Sequence, residues 1–524
     1  MPPDDAAAAT PQQQRHTGSL LALLRAAGAA DAPAIRAPEG DGRAALTYGA
    51  LLGLAARTVE SLNAAGIGRG DRVAIVLPNG PEMAAAFVCA AAGATTAPLN
   101  PAYKEEEFAF YLEDLRAKAL VLRRGDDTPA RAAAARLGVP VLDLVPDESA
   151  GAGAFALEGG APGRAERPGE AEAEDVALVL HTSGTTARPK IVPLTHANLA
   201  ASARAIGRTL ALGPGDACLN VMPLFHIHGL VAATLATLAS GGAVVCTPGF
   251  NALRFFGLLE AERPTWYTAV PTMHQAILAR AARNAEAIAR APLRFLRSSS
   301  APLPAQAMRD LEAAFGAPVI ESYGMTEASH QMASNPLPPR PRKPGLVGVA
   351  AGPEVAIMDE DGTILPQGAV GEVVIRGPNV TKGYESNPDA NAKAFVGDWF
   401  RTGDQGVLDA EGYLQLTGRL KEIIKRGGEQ VSPLEVDGVL SEHPAVAQAL
   451  TFSIPHPMLG EDIGAAVVLR EGMEASEREL RDHAARHLAD FKVPRKIVLL
   501  PEIPKGATGK LMRIGLAEKL GITA

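Results

Sequence analysis

The sequence predicts an α/β fold, with largely parallel sheets covered by helices and a compact α+β region at the C-terminal end. Short apolar runs, among them 73–77, 119–122 and 176–180, alternate with Ala-rich stretches of helical spacing. Such runs read as strands buried on both faces, and strands that alternate with helices build parallel sheets. From Gly371 the texture changes to short β patterns such as 372–375. The remainder of the chain mixes helical patterns with strand candidates near 446–452, 465–469 and 497–500.

In chain order, residues 1–16 lack large apolar side chains and are expected to be disordered. They have neither the basic nor the apolar region of a signal peptide. The segment 147–174 is rich in Gly, Ala, Pro and Glu and reads as a surface loop or linker. A buried strand at 176–180 precedes a Ser/Thr/Gly loop, and Thr195 is placed to cap the next helix. The longest apolar stretch, 229–245, is interrupted by Thr, Ser and Gly, so it reads as a buried helix and strand before a membrane span. The chain ends Gly521-Ile522-Thr523-Ala524, which is not a peroxisomal address.

Composition narrows the function. The chain has 524 residues, 47% of them hydrophobic, enough for a large core. At about 150 residues per domain, roughly three domains are expected. Aromatic residues are only 4%, so the core is built mostly from Ala, Val, Ile and Leu. Lys and Arg total 50 against 58 Asp and Glu, and a net charge of −8 argues against a general nucleic-acid binder. Cys89, Cys218 and Cys246 are far apart and form neither a metal-ligand pair nor a disulfide framework, which suits a reducing, cytoplasmic setting.

The strongest local signal is His181-Thr-Ser-Gly-Thr-Thr-Ala-Arg-Pro-Lys190. Gly184 permits a tight turn and close approach to an anion. Thr182, Ser183, Thr185 and Thr186 offer hydroxyl donors, and Lys190 adds a point charge. Backbone N–H groups in such a loop form an anion-binding nest, although turn chemistry alone also favours these residues. The loop is not a Walker A motif, and no Gly-x-Gly-x-x-Gly occurs.

Four further segments follow in order: Tyr323-Gly-Met-Thr-Glu327, Trp399-Phe-Arg-Thr-Gly-Asp404, Gly418-Arg-Leu-Lys-Glu-Ile-Ile-Lys-Arg-Gly-Gly428 and Pro504-Lys-Gly-Ala-Thr-Gly-Lys510. Together with the loop they resemble the adenylate-forming superfamily of acyl-CoA synthetases, adenylation domains and luciferases, over nearly the whole chain. The resemblance implies a large N-terminal domain with α/β sheets and a β subdomain, residues 17–419. A hinge at 420–421, with Lys421 at its centre, then leads to a small mobile α+β domain, 422–524. It also implies two-step chemistry. A carboxylate attacks the α-phosphate of ATP, giving acyl-adenylate and pyrophosphate. The thiol of coenzyme A then displaces AMP.

Both reactants of the first step are anionic, so fixed positive charge is required. By resemblance Lys510 bridges the carboxylate and the α-phosphate, and Glu327 is the ligand of Mg2+, a hard cation that suits a carboxylate. The resemblance places Thr182, Ser183, Gly184, Thr185, Thr186, Lys190, Ser300, Glu321, Ser322, Tyr323, Thr326, Asp404, Arg419 and Lys510 around ATP. Within that set Thr185 joins Lys510 and Glu327 as catalytic, Asp404 holds the ribose, and Tyr323 stacks on adenine. Gly427 and Gly428 match the coenzyme A channel and also read as a β-turn.

The acid is read from the pocket-wall segments. Arg297-Ser-Ser-Ser-Ala-Pro302, Phe225-His-Ile-His-Gly229 and Thr326-Glu-Ala-Ser-His330 place hydroxyls and imidazoles where a purely apolar tunnel would hold none. His226, Ser300 and His330 could serve a second carboxylate, whose burial without donors would cost several kcal/mol. These segments look most like the oxalate–CoA ligase branch. Malonyl-CoA synthetases, which share His-x-His-Gly, and other short- or medium-chain synthetases are alternatives. So is an enzyme that loads a carrier protein. His228 reads equally as a structural histidine. A metallohydrolase reading of His-x-His lacks a matching downstream ligand set. Ala187 and Ile191 stand where relatives often carry Gly, with a possible effect on rate rather than reaction type. Small acid, ATP and coenzyme A are the expected partners, with no nucleic acid and no membrane.

Overall fold

The computed structural model describes residues 18–38, 40–182, 189–505 and 511–522. The stretch 1–16 lies outside the described residues, as do Ser183, Gly184, Thr185, Thr186, Ala187 and Lys510. Two large sheets dominate. The first runs Phe155–Gly159, Val141–Pro146, Ala119–Arg123, Arg72–Val76, Thr95–Pro98, Val176–His181, Ile191–Thr195. Its inner strands are parallel and only the two edges are antiparallel.

The second sheet runs Val349–Ala350, His330–Ser334, Val319–Met325, Phe295–Ser298, Trp266–Ala269, Ala217–Asn220, Ala243–Cys246, Pro33–Arg36, Leu46–Thr47. It is parallel from Val319–Met325 across to Pro33–Arg36. The expected runs at 73–77, 119–122 and 176–180 are thus central strands, buried on both faces as their unbroken apolar character requires.

One core joins helices and facing sides of both sheets. The helix Pro81–Ala91 is buried at every residue except Glu82, with Ala at five of its eleven positions, so its neighbours approach closely. Thr195 caps the helix His196–Thr209 as expected: its hydroxyl accepts from Asn198 N at 3.1 Å, and the Asn198 side chain accepts from Thr195 N at 3.0 Å. The stretch 229–245 is a helix and a strand. Its first part, His228–Leu235, is a π-helix, followed by Ala236–Ala239 and the strand Ala243–Cys246. A Cβ at Gly229 would lie 2.3 Å from the Pro223 carbonyl oxygen, so only glycine lets this helix begin against that loop.

The reading of 147–174 as loop needs correction. Phe155–Gly159 within it is an edge strand, antiparallel to Val141–Pro146. Only Phe155 of that strand is buried, so the alternation that marks a strand is too weak to see among Ala and Gly.

Beyond the second sheet, Glu354–Met358, Gly371–Arg376, Phe395–Val396, Trp399–Leu408 and Leu414–Arg419 form the expected β subdomain, antiparallel throughout. The small C-terminal α+β domain has its own sheet, ordered Glu429–Val431, Ile424–Arg426, Gly460–Leu469, Val446–His456, with Lys496–Leu499 parallel to Gly460–Leu469. It also has its own apolar clusters. Polar contacts reach across to the large domain: Gln448 Nε2 donates to Gln275 Oε1 at 2.7 Å, and Gln275 Nε2 to the Ala447 carbonyl at 3.2 Å. Arg470 lies 3.9 Å from Asp310. Among the described residues, no helix is long and apolar enough to cross a membrane.

Candidate active site

The strand Val319–Met325, the 3-10 turn Thr326–Ala328 and the strand His330–Ser334 form the spine of the site. The chain reverses tightly here: a Cβ on Gly324 would sit 2.1 Å from the His330 carbonyl oxygen, and Ser329 and His330 take φ of 50° and 98°. Three groups of side chains gather along it.

The first group is Tyr323, Asp404 and Arg419. Asp404 and Arg419 face each other in register on neighbouring antiparallel strands. Arg419 Nε lies 3.1 Å from Asp404 Oδ1, and the Tyr323 hydroxyl donates to Asp404 Oδ2. The Asp404 carboxylate raises the Arg419 pKa further above its ordinary value, and burial does the same for the Tyr323 phenol. Residues from two other motifs thus meet on the carboxylate of Asp404, a residue 6% exposed.

Glu327 centres the second group. Tyr384 Oη donates to Glu327 Oε1 at 2.8 Å, and Lys190 Nζ stands 4.3 Å from the centre of the Tyr384 ring. Thr182 N donates to the Lys190 carbonyl at 3.0 Å, closing the neck of the loop between them. Arg419 also feels the Glu327 charge, so the first two groups share one electrostatic environment. Tyr384 belongs to none of the motifs, and a lone Tyr between Gly383 and Glu385 carries no sequence signal. Ile191 opens a strand, a conformation that suits a β-branched residue, and its carbonyl accepts from Glu385 N at 3.1 Å.

The third group contains two of the three expected acid-binding residues, gathered around His228. His228 Nδ1 is 3.0 Å from Ser300 Oγ, His228 Nε2 is 2.6 Å from Thr268 Oγ1, and the His330 ring centre is 5.0 Å from that of His228. His226, two residues earlier, packs its ring on Phe225 at 4.9 Å. His228 thus meets both Ser300 and His330. Ser300 holds a φ of 74°.

Glu321 and Ser322 turn into the protein. Ser299 Oγ donates to the Ser322 carbonyl at 2.9 Å, and Glu321 Oε1 accepts from Leu303 N at 2.9 Å, fixing the loop that carries Ser300. Burial pushes the Glu321 carboxyl from an ordinary 4.5 up to about 8. The folded state thus holds a proton that the unfolded chain releases, and stability should fall as pH rises from 4.5 to about 8, then level off. Glu321→Gln keeps an acceptor for Leu303 N and should flatten that slope. Melting temperatures of both proteins across this range measure it.

Thr326 is half-buried, its carbonyl accepting from Ser329 N at 3.0 Å. Gly427 and Gly428, at φ of 58° and 96°, form the two-residue turn between Ile424–Arg426 and Glu429–Val431, as the β-turn reading expects. Lys421 is exposed, in the tight turn where Glu422 N and Ile423 N both donate to the Arg419 carbonyl.

A family model for AMP-binding enzymes matches residues 24–385, and one for the C-terminal domain of AMP-binding enzymes matches 435–510. The chain belongs to the AMP-binding enzyme family. This AMP-binding enzyme is 45% identical to a probable CoA ligase, CCL9, of Humulus lupulus, over 95% of this chain and 96% of that protein. It is 45% identical to an oxalate–CoA ligase of Arabidopsis thaliana (92% and 95% covered) and 42% identical to one of Saccharomyces cerevisiae (86% and 87%). A crystal structure of ATP-bound MatB from Rhodopseudomonas palustris superposes with a TM-score of 0.85 at 31% identity, covering 96% of this chain and 98% of that one.

Proposed function

We propose that this AMP-forming acid–CoA ligase converts oxalate, ATP and coenzyme A to oxalyl-CoA, AMP and pyrophosphate. A carboxylate oxygen of oxalate attacks the α-phosphorus, and the bond to the bridging oxygen breaks with its electron pair leaving on pyrophosphate. The coenzyme A sulfur then attacks the activated carbonyl carbon, and AMP leaves. The observation that carries the choice of acid is the array of buried Thr268, His228 and His330 with half-buried Ser300, beside the nucleotide residues of the same spine. Hydroxyl and imidazole groups can meet a second carboxylate, whereas an alkyl chain gains nothing from them.

In this reading Asp404 accepts from the ribose hydroxyls, and Arg419 aligns Asp404 and faces the phosphates. Tyr323 contributes its ring to adenine. Lys190 and residues 182–186 hold the phosphates. Glu327 would hold Mg2+, a hard cation that suits a carboxylate, and Tyr384 engages one of its two oxygens. That ion, when bound, offsets charge on the phosphates. We place the domain boundary after Arg419 and the hinge at 420–421, so that Lys510 serves adenylation and the Gly427–Gly428 turn serves the thiol. The three cysteines are free and buried, which fits a reducing compartment such as the cytoplasm.

The test is pyrophosphate release with ATP, magnesium and coenzyme A, run in parallel with oxalate, malonate, acetate and a medium-chain fatty acid. The thioester product is identified by mass. Oxalate should give the highest kcat/KM. A preference for malonate would keep the mechanism and reject the acid. A preference for the fatty acid would reject the polar-pocket assignment. Dependence on an added carrier protein would reject coenzyme A as acceptor.

A further inference from the structure

Arg297 lies in the middle of the second sheet, in the strand Phe295–Ser298, and is 0% exposed. Nη2 donates to Gln331 Oε1 at 3.2 Å. Among the described residues nothing accepts from Nε or Nη1, and no carboxylate pairs with the guanidinium. Burial alone pushes its pKa down to about 9. A buried arginine without an anion is a costly arrangement, and a well-packed apolar side chain of similar volume would be better tolerated.

The position of that charge is informative. Arg297 is in register with Thr268 on the adjacent parallel strand, so both side chains project from the same face of the sheet. Thr268 is the residue that holds His228 Nε2, and Gln331 directly follows His330. Arg297 therefore shares a sheet face with Thr268, a member of the array assigned above to the second carboxylate, and its guanidinium meets the residue next to His330. Glu321, on the neighbouring strand, is in register with Ser298 and commits its carboxyl to Leu303 N.

We propose that Arg297 is a specificity-determining residue: its charge offsets the second negative charge of a small dicarboxylate held by the Thr268–His228–Ser300 array, and so separates diacids from monoacids of equal size. This rests on the oxalate reading. Arg297 acts here through its field and through the residues beside it, as a positioning residue rather than as a catalytic one.

The experiment compares oxalate with glyoxylate, which matches it in size but has one carboxylate, in wild type and in Arg297→Met, Arg297→Gln and Arg297→Lys. The readouts are KM for oxalate, the inhibition constant of glyoxylate, KM for ATP, and melting temperature. Met and Gln should raise KM for oxalate about tenfold, the effect of one charge lost at close range in a protein interior. Glyoxylate and ATP should shift less than about twofold, since neither relies on this charge. Lys should restore most of the loss, and Met should melt no lower than wild type.

An unchanged oxalate KM in Met or Gln would overturn the proposal while leaving the oxalate reading intact. So would a lower melting temperature with equal losses on oxalate, glyoxylate and ATP, which marks a structural residue. If Met does not fold, Gln and Lys carry the same comparison. If wild type prefers malonate, the oxalate reading fails and the proposal is judged on malonate against acetate. A wild-type preference for a monoacid overturns both.

Discussion

Lys510→Ala should abolish acyl-adenylate formation while leaving thioester formation from supplied oxalyl-adenylate within a few-fold of wild type. The first step brings a carboxylate to a triphosphate, and its transition state carries more concentrated charge than either reactant. Removing one preorganised donor at such a centre lowers rates by about 10²–10³-fold, and removing a full charge should exceed that. In the second step the leaving group is already in place, and the incoming sulfur meets an activated carbonyl. Pyrophosphate exchange reads the first half-reaction, and coenzyme A consumption with synthetic adenylate reads the second. Equal losses in both would sink the assignment of Lys510 to one step.

Glu327→Gln should reduce adenylation by about 10²-fold and raise the magnesium concentration needed for half-maximal rate. The amide keeps an oxygen for the Tyr384 hydroxyl, which donates to Oε1 at 2.8 Å, so the turn Thr326–Ala328 should keep its shape. What is lost is the charge that suits a hard cation. Tyr384→Phe should weaken the same step less, because it frees the carboxylate without neutralising it. A Gln variant with an unaltered magnesium requirement would assign Glu327 to positioning alone.

The central strands could be read from the sequence because burial on both faces forces unbroken apolar runs, as in Val176–His181. The edge strand Phe155–Gly159 could not, because one buried side chain gives no period. The sequence also pointed to Tyr323, Glu327, Asp404 and Arg419, each through a motif, and the fold brings Tyr323, Asp404 and Arg419 into contact from separate strands. Their joint arrangement was hidden, since register such as Asp404 opposite Arg419 depends on pairing that no local spacing encodes. Tyr384 and Thr268 were missed because each makes its contact through one hydroxyl of a common residue type. His228, which the sequence reads equally as a structural histidine, lies between Ser300 and Thr268.

The contacts between the two domains have a consequence for how the enzyme responds to its medium. Gln275 meets Gln448 and the Ala447 carbonyl through uncharged amides, and an ion pair nearby, Arg470 with Asp310, is long and partly exposed. Dissolved ions screen charges within about 10 Å at 0.1 M ionic strength but leave neutral amide hydrogen bonds almost untouched. The docking of the small domain in this arrangement is therefore nearly indifferent to salt. The proposed contacts of Lys190 and Arg419 with the phosphates are between charges, so salt should weaken nucleotide binding well before it loosens the joint between the domains.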